Sequence, residues 1–593
     1  MNHLFALVFG CDFLLAQRRH AFYPNCQVNS YKFLSDRCPR HFDDSKLIRP
    51  QVFQLHPFRE IICAPELNLM TTRIFQNETA REIVSSDPAT GEEVGRAKIA
   101  TAGEVAEALK LARAAQRSWA KLSFRERGSL VMRARRIVLD EAEEIARLIS
   151  REMGKPVAES FSMELVPTLD LMQYFAGQTA RLLRPEKVDI GQYGLMGRSS
   201  RIIYKPLGVV GIISPWNFPW AIPLGEVVMA LMAGNAVILK PSELTPFVGL
   251  KIGEVFKRAG LTEGLLQVLT GDGQTGAALV AAGVDKIMFT GSVATGKRVA
   301  QTAAQNLTPV VLELGGKDPM IVLADAEIEM AARAAVWGAF SNSGQACASV
   351  ERCYVHESIA PQFLARVAAE TESLRQGLGT EEIEVGAMSS ERQLKTVEEH
   401  VGDALARGAR VVTGGRRPQQ LDGPFYEPTI LTNVDHTMLV MREETFGPVL
   451  PVMTFETEEE AVRLANDSAF GLTASVWTSS PARGRRIAAL LEAGTVMVNE
   501  VLYTHGIAQT PWGGVKQSGL GRTHGRLGLL ELVTPQHIHV NRLGFLPDFW
   551  WFGYTPQAAR LFRGFARRFA TGNPLQTSLL LPQMIRRLFE RRR

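Results

Sequence analysis

A lone cysteine, Cys347, sits in the small-residue stretch SNSGQACAS, 34 residues after a glutamate, Glu313, in the apolar run PVVLELGG. Such a pair can do thiol chemistry. A thiolate adds to an electron-poor carbon, and a carboxylate can take a proton from water in a later step. The small neighbours Ser343, Gly344, Ala346 and Ala348 are expected to leave the sulfur accessible in a flexible loop. Neither residue is decisive alone, because an unpaired cysteine is most often an inert buried apolar group. The elements around them must supply the rest.

From residue 201 the chain alternates. Apolar runs at 209–215, 235–241, 265–270, 286–291 and 309–316 are separated by helix-compatible segments. Continuous apolar strands between helices predict a parallel sheet covered on both faces, with ligands at the carboxyl ends of its strands. Those ends carry Trp216-Asn217, Lys240 to Glu243 (including Ser242), Gly291-Ser292 and Glu313. The usual closely spaced dinucleotide glycines are absent. Instead FTGSVATG, with Gly291, Ser292 and Gly296, opens a helix whose N-terminus suits phosphate, although glycines at a turn serve plain packing equally well. Glu243 can accept hydrogen bonds from a ribose diol or simply complement a helix dipole. A second alternating segment follows residue 317, with strands expected at 319–325, 351–357, 409–415, 448–455, 494–499 and 537–541. Amphipathic spacing predicts helices over 105–119 and 127–153.

Composition bounds the function. The 593 residues imply two or three domains, and 21% charged with 46% hydrophobic content fits an ordinary globular enzyme. The net charge of +5 is a property of the tail: residues 545–593 contribute +7 from nine Arg against two acids. The nearly neutral remainder offers no nucleic-acid footprint. Of six cysteines, four fall within the first 63 residues, no spacing reads as a zinc site, and no metal is expected. The body suits a reducing cytoplasm. Residues 1–69 are irregular and form a poor signal peptide, while MTTRIFQNETA reads as a fresh start, so Met70 is expected to be the initiator.

Seven motifs in order, PWNFP, KPSE, FTGS with its following Gly, LELGGK, GQAC, EETFGP and PWGGVKQSG, make residues 75–541 resemble the aldehyde dehydrogenase superfamily. The resemblance implies an α/β fold of two doubly wound domains plus a small bridging β element. It places the NAD-binding domain at 71–187 and 207–315, the bridging and oligomer-forming element at 188–206 and 530–541, and the catalytic domain at 316–529. By the same resemblance Cys347 is the nucleophile, Asn217 and the Cys347 amide hold the oxyanion, and Glu313 activates water to hydrolyse a thioester. Lys240 and Glu243 would hold the adenosine ribose and Ser292 and Trp216 lie near the pyrophosphate, with Ser242 also binding the cofactor and Gly291 and Gly296 allowing close backbone approach. Glu444 would bind the nicotinamide ribose and Phe446 pack beside the ring. NAD is the expected cofactor, NADP being admissible, and a homodimer or homotetramer the expected assembly.

Two departures stand out. Where many relatives carry a bulky aromatic and a lysine, this chain has Gly225 and Glu226, which predicts a wider substrate tunnel or, equally, close helix packing. Beyond the family core, residues 542–593 carry Phe562, Phe565, Ala566 and Phe569 on one helical face and Arg560, Arg563 and Arg567 on the other. That pattern predicts helices lying on an anionic membrane, or a tail packing its aromatic face on its own body. The expectation is a cytoplasmic enzyme, peripheral at the inner membrane face, that oxidises medium- to long-chain aldehydes. A succinate-semialdehyde-type enzyme and a non-catalytic membrane scaffold are the rivals. Intact Cys347, Glu313, Asn217 and Glu444 speak against the scaffold.

Overall fold

The runs of Val, Ile, Leu and Ala that begin at residue 209 become fully buried strands, as their two-sided hydrophobicity requires. The computed structural model describes residues 82–572 and 575–590, so the expectations about residues 1–69 and Met70 lie outside the described residues. A six-stranded sheet runs, in spatial order, Gly519–Leu520, Val310–Glu313, Lys286–Thr290, Val209–Ile213, Ala236–Lys240 and Leu266–Val268. All its pairs are parallel except that of Gly519–Leu520 with Val310–Glu313. Chain order reverses between Val209–Ile213 and Lys286–Thr290. The crevice outside the carboxyl ends of those two strands is where such sheets take ligands.

A seven-stranded sheet follows: Arg410–Thr413, Thr429–Thr432, Val449–Phe455, Val350–His356, Asp318–Val322, Thr473–Trp477 and Thr495–Val498, all parallel except the first. Thr429–Thr432 and Thr473–Trp477 escape the sequence reading because they are short and mixed with Thr and Ser. A three-stranded antiparallel sheet joins Val533–Asn541, Arg198–Pro206 and Glu186–Val188, with nine residues in register from Val533 opposite Pro206 to Asn541 opposite Arg198.

The helix expected over 127–153 is two helices, Phe124–Asp140 and Ala142–Met153. They part at Glu141, whose backbone leaves the helical region (φ −111°, ψ 18°). No Pro or Gly marks the break, so periodicity alone could not find it.

The tail forms a helical hairpin, Pro556–Thr571 and Leu575–Glu590. Part of its aromatic face is used at home. Phe565 is buried and stacks on Phe549 (5.3 Å between centroids), while Trp550 stacks on Phe562 at 5.5 Å. Gly564 lets the second helix approach, since a Cβ there would lie 2.5 Å from Leu580 Cδ2. The face drawn from the helical wheel is thus corrected. Phe565 turns inward, and the exposed aromatics are Phe545, Trp551, Phe552, Tyr554, Phe569 and Phe589. Among the described residues no helix is long and apolar enough to cross a membrane.

Candidate active site

Cys347 follows three consecutive residues in the left-handed region, Asn342 (φ 53°), Ser343 (φ 56°) and Gly344 (φ 71°). Two of them are not glycine, and such a conformation persists only where surroundings over-determine it. They do. The Asn342 amide N–H donates to both carboxylate oxygens of Glu159 at 2.9 and 3.0 Å, and its side chain donates to the carbonyls of Asn217 and Gln345 at 3.0 Å. Ser343 Oγ donates to Gly386 O at 2.9 Å, and Gln345 Oε1 accepts from Ser389 N at 2.9 Å. A Cβ on Gly344 would stand 2.1 Å from Gly447 O, so only glycine fits. The loop expected to be flexible is therefore strapped on every side, and Ser343, Gly344, Ala346 and Ala348 are buried. Cys347 itself stays half-buried.

Asn217 ends the segment that leaves strand Val209–Ile213. Its Nδ2 donates to Gln345 O at 3.0 Å, which ties it to the cysteine loop. Its carbonyl accepts from Lys155 Nζ at 2.8 Å, and Lys155 pairs with Glu164 at 2.8 Å with both side chains fully buried. The other oxygen of Glu164 accepts from Trp220 N and Ala221 N, at the start of helix Ala221–Ala233. Sequence reading missed both residues, which lay in segments given no chemistry. Removing one partner of a buried pair strands the other charge. Lys155→Met is accordingly expected to cost about 3–5 kcal/mol in urea unfolding.

Glu313 closes strand Val310–Glu313, its backbone carbonyl accepting from Gly291 N at 3.0 Å. Both carboxylate oxygens are buried without a hydrogen-bond partner among the described residues. Burial, and then the charge of Glu226, hold its carboxyl well above the usual range, against a smaller downward pull from Arg522. Burial likewise pushes the Cys347 thiol up, with Asp318, Glu444 and Glu313 adding to it. The resting sulfur is a thiol, and the Glu313 carboxyl lines the same cavity.

Glu444 Oε1 accepts from Gly316 N at 3.0 Å, and burial raises its carboxyl to about 8. Gly315 is glycine because a Cβ would fall 2.3 Å from Glu444 Oε2. Phe446, in the left-handed region at φ 52°, meets Trp216 edge-on at 5.4 Å. The buried pair Lys317–Glu351 (2.6 Å) sets this segment, because Glu351 accepts from Thr445 N and Phe446 N, each at 2.8 Å.

One cavity of about 1000 Å³ collects these groups. Cys347, Glu313 and Asn217 line it together with Trp216, Lys240, Ser242, Glu243, Gly291, Ser292, Glu444 and Phe446. Gly296 stands behind, where its bare Cα admits Leu314: a Cβ would lie 2.6 Å from Leu314 Cδ2. Ser292 caps helix Val293–Ala304, its Oγ accepting from Thr295 N. Gly225 opens no tunnel. Leu171 Cδ1 and His524 Nε2 come within 3.2 and 3.5 Å of where its Cβ would stand, so its smallness serves packing.

The aldehyde dehydrogenase family model matches residues 75–538. This chain belongs to the aldehyde dehydrogenase family. A 4,4'-diapolycopene aldehyde oxidase of Methylomonas sp is 41% identical over 483 residues, covering 82% of this chain and 90% of that protein. A Mycobacterium bovis protein, provisionally named a succinate-semialdehyde dehydrogenase [NADP(+)], is 40% identical over 456 residues, 77% of this chain and 88% of that one. Among solved structures, an NAD-dependent aldehyde dehydrogenase from Sinorhizobium meliloti is similar at TM-score 0.76 and 37% identity, covering 80% of this chain and 93% of that chain. The NAD+ complex of an aldehyde dehydrogenase from Bacillus cereus is similar at TM-score 0.75 and 33% identity, covering 78% and 94%. This aldehyde dehydrogenase is an oxidoreductase of the same α/β architecture.

Proposed function

We propose that this aldehyde dehydrogenase oxidises medium- to long-chain apolar aldehydes to carboxylic acids with NAD, Cys347 serving as nucleophile. The observation that carries the reading is the meeting of Cys347, Glu313 and Asn217 on one cavity whose remaining lining is nucleotide-like. Cys347 Sγ adds to the aldehyde carbon as its proton leaves, and the oxygen becomes an oxyanion. Asn217 Nδ2, fixed by Gln345 O, keeps a second N–H for that oxygen, and the Cys347 amide is the other donor. Glu313 then takes a proton from the water that attacks the thioester. Asn217→Ala is expected to lower kcat about 100–1,000-fold in steady-state assays, with a smaller effect on KM.

The crevice fits a dinucleotide. Lys240 is buried and lies 3.6 Å from Glu243, Ser292 offers a helix N-terminus, and Gly315 leaves room only beside Glu444. Lys240, Ser242 and Glu243 would hold the adenosine ribose, Trp216 and Ser292 with the close-packed turn at Gly291 and Gly296 the pyrophosphate, and Glu444 and Phe446 the nicotinamide end. NAD held there would supply the hydride acceptor, and its positively charged ring would favour the thiolate. Glu243, half-exposed at the rim, repels a 2′-phosphate and so favours NAD, with NADP admitted as a poorer cofactor.

The narrow lining nearest Cys347 includes Ile222, Leu314, Leu472 and Trp512, and no Lys or Arg. Burial holds His505 down to about 4 and His524 well below its ordinary value, so neither supplies a cation at neutral pH. A carboxylate brought against this lining would find no counter-charge there, and the cations of the adjoining cavity, Lys240, Arg298 and Arg392, belong to the nucleotide crevice. The Methylomonas relative's name also points to large aldehydes. The test is NADH formation across aldehydes from acetaldehyde to hexadecanal, with succinate semialdehyde alongside. A kcat/KM that climbs with chain length is expected; a preference for succinate semialdehyde overturns the substrate reading.

Sheet membership supports the division into a nucleotide domain (71–187, 207–315), a catalytic domain (316–529) and a bridging element (188–206, 530–541). We further propose a homodimer or homotetramer, since Val533–Asn541 is a long, exposed sheet edge suited to pairing with a second copy. Light scattering checks this. The tail is assigned to an anionic membrane surface at the cytoplasmic face. A groove of about 440 Å³ between its helices is lined by Arg560, Arg563, Arg567, Arg586 and Arg587, beside exposed Trp551 and Phe552. The free thiols Cys347 and Cys353 agree with a reducing compartment. Co-sedimentation with phosphatidylglycerol vesicles tests the assignment, and binding that survives deletion of 545–593 overturns it.

A further inference from the structure

Against Cys347 and Glu313 lies a second, narrow space of about 20 Å³, enough for little more than one water molecule. It shares Thr290, Glu313, Leu314 and Cys347 with the nucleotide cavity and adds Glu226, His505 and His524. Buried polar atoms are nearly always hydrogen-bonded. Here Glu226 Oε2, both oxygens of Glu313, Thr290 Oγ1 and His524 Nδ1 are all buried without a hydrogen-bond partner among the described residues. The pattern points to a hydrated polar path rather than a packed core.

The path has a direction. Glu226 lies on helix Ala221–Ala233 and couples electrostatically to Glu313. His524 Nε2 faces the bare Cα of Gly225, one residue before Glu226. The His524 and His505 rings are 4.7 Å apart, and His505 is half-buried next to Thr504 and the exposed Tyr503. His524 is held in the left-handed region at φ 57°, a strained conformation for a non-glycine residue. The charged and titratable groups facing this path are Glu313, Cys347 and Arg522 besides the three residues themselves.

Aldehyde, NAD+ and water give carboxylate, NADH and two protons, and over a full cycle both come from the water, because the Cys347 thiol regains on thioester cleavage the proton it loses on attack. Both are released in a buried site. We propose that Glu226, His524 and His505 form the exit for the proton that Glu313 takes from the hydrolytic water, a role that rests on reading Glu313 as the base. A neutral carboxylic acid accepts a proton on its carbonyl oxygen while releasing the one on its hydroxyl. A neutral imidazole does the same through its two nitrogens. Each group thus ends the transfer uncharged, and the proton leaves at the His505 end. Burial, raising Glu226 to about 8 and depressing both histidines, keeps all three in the required neutral forms at neutral pH. Glu226 acts through Glu313 and touches no substrate, so it is a positioning residue.

The test uses the full-length enzyme with saturating NAD and a long-chain aldehyde. Glu226→Gln is expected to leave the first-turnover burst of NADH intact, lower steady-state kcat at least about tenfold, and flatten the pH dependence of kcat. His524→Asn should do likewise and be partly rescued by added imidazole. Wild-type kcat and pH profile in both variants overturn the proposal. Glu313→Gln separates the two readings. If it stalls after the burst while the Glu226 and His524 variants behave as wild type, only the exit path falls. If it turns over normally, the assignment of Glu313 as base falls first.

Discussion

Cys347→Ala is expected to lower kcat/KM for every aldehyde by about 10,000-fold or more while NAD affinity and thermal stability stay near wild type. The size follows from removing the covalent route itself, for which no neighbouring group substitutes. Cys353, the other described thiol, is wholly buried on strand Val350–His356 and cannot reach the cavity. Stability should hold because Cys347 is only half-buried and its loop is tied through Asn342, Ser343 and Gln345. Steady-state kinetics and a melting curve on one preparation check both halves. Retained turnover would reject the nucleophile.

Glu313→Gln should separate the two half-reactions. One equivalent of NADH is expected in a rapid burst, followed by steady turnover reduced about 100- to 10,000-fold, because water attack on the thioester has lost its base. The same substitution should alter stability with a definite sign. A carboxyl whose folded pKa is raised binds its proton more tightly folded than unfolded. It therefore favours folding at low pH, and that contribution is lost as pH rises from the ordinary glutamate range towards the raised value. Across neutral pH the Gln variant should consequently melt at the same temperature as wild type or higher. Stopped-flow absorbance and melting curves against pH measure the two effects.

Much of this site is legible in the chain because strand ends are legible. Apolar runs end where buried backbone ends, so Asn217, Lys240, Ser292 and Glu313 can be placed at the carboxyl ends of one sheet's strands from the sequence alone. The groups that hold them are harder to see. Lys155 and Glu164 look like helix-surface charges, yet they are the fully buried pair under Asn217. Small residues around Cys347 look like slack and prove to be left-handed backbone fastened by side chains distant in sequence, such as Glu159. Gly225 looks like missing bulk, but its counterpart, His524, comes 299 positions later. The tail's amphipathic pattern is real, although the hairpin turns Phe565 inward, which one helical wheel cannot foresee. In each case the deciding contact is non-local, and local periodicity carries no record of it.

The short strand Gly519–Leu520 has a consequence for how the protein comes apart. It arrives after the chain has completed the seven-stranded sheet, yet it pairs with Val310–Glu313 at the edge of the six-stranded one, where Leu314 N also donates to Ser518 O. Melting the later sheet would pull that strap from the strand bearing Glu313, and melting the earlier sheet would leave the strap unpaired. Neither half can then lose its structure while the other keeps its own. Heat should consequently disrupt both sheets in a single cooperative transition, and a proteolytic cut in the glycine-rich 511–522 segment should loosen both together.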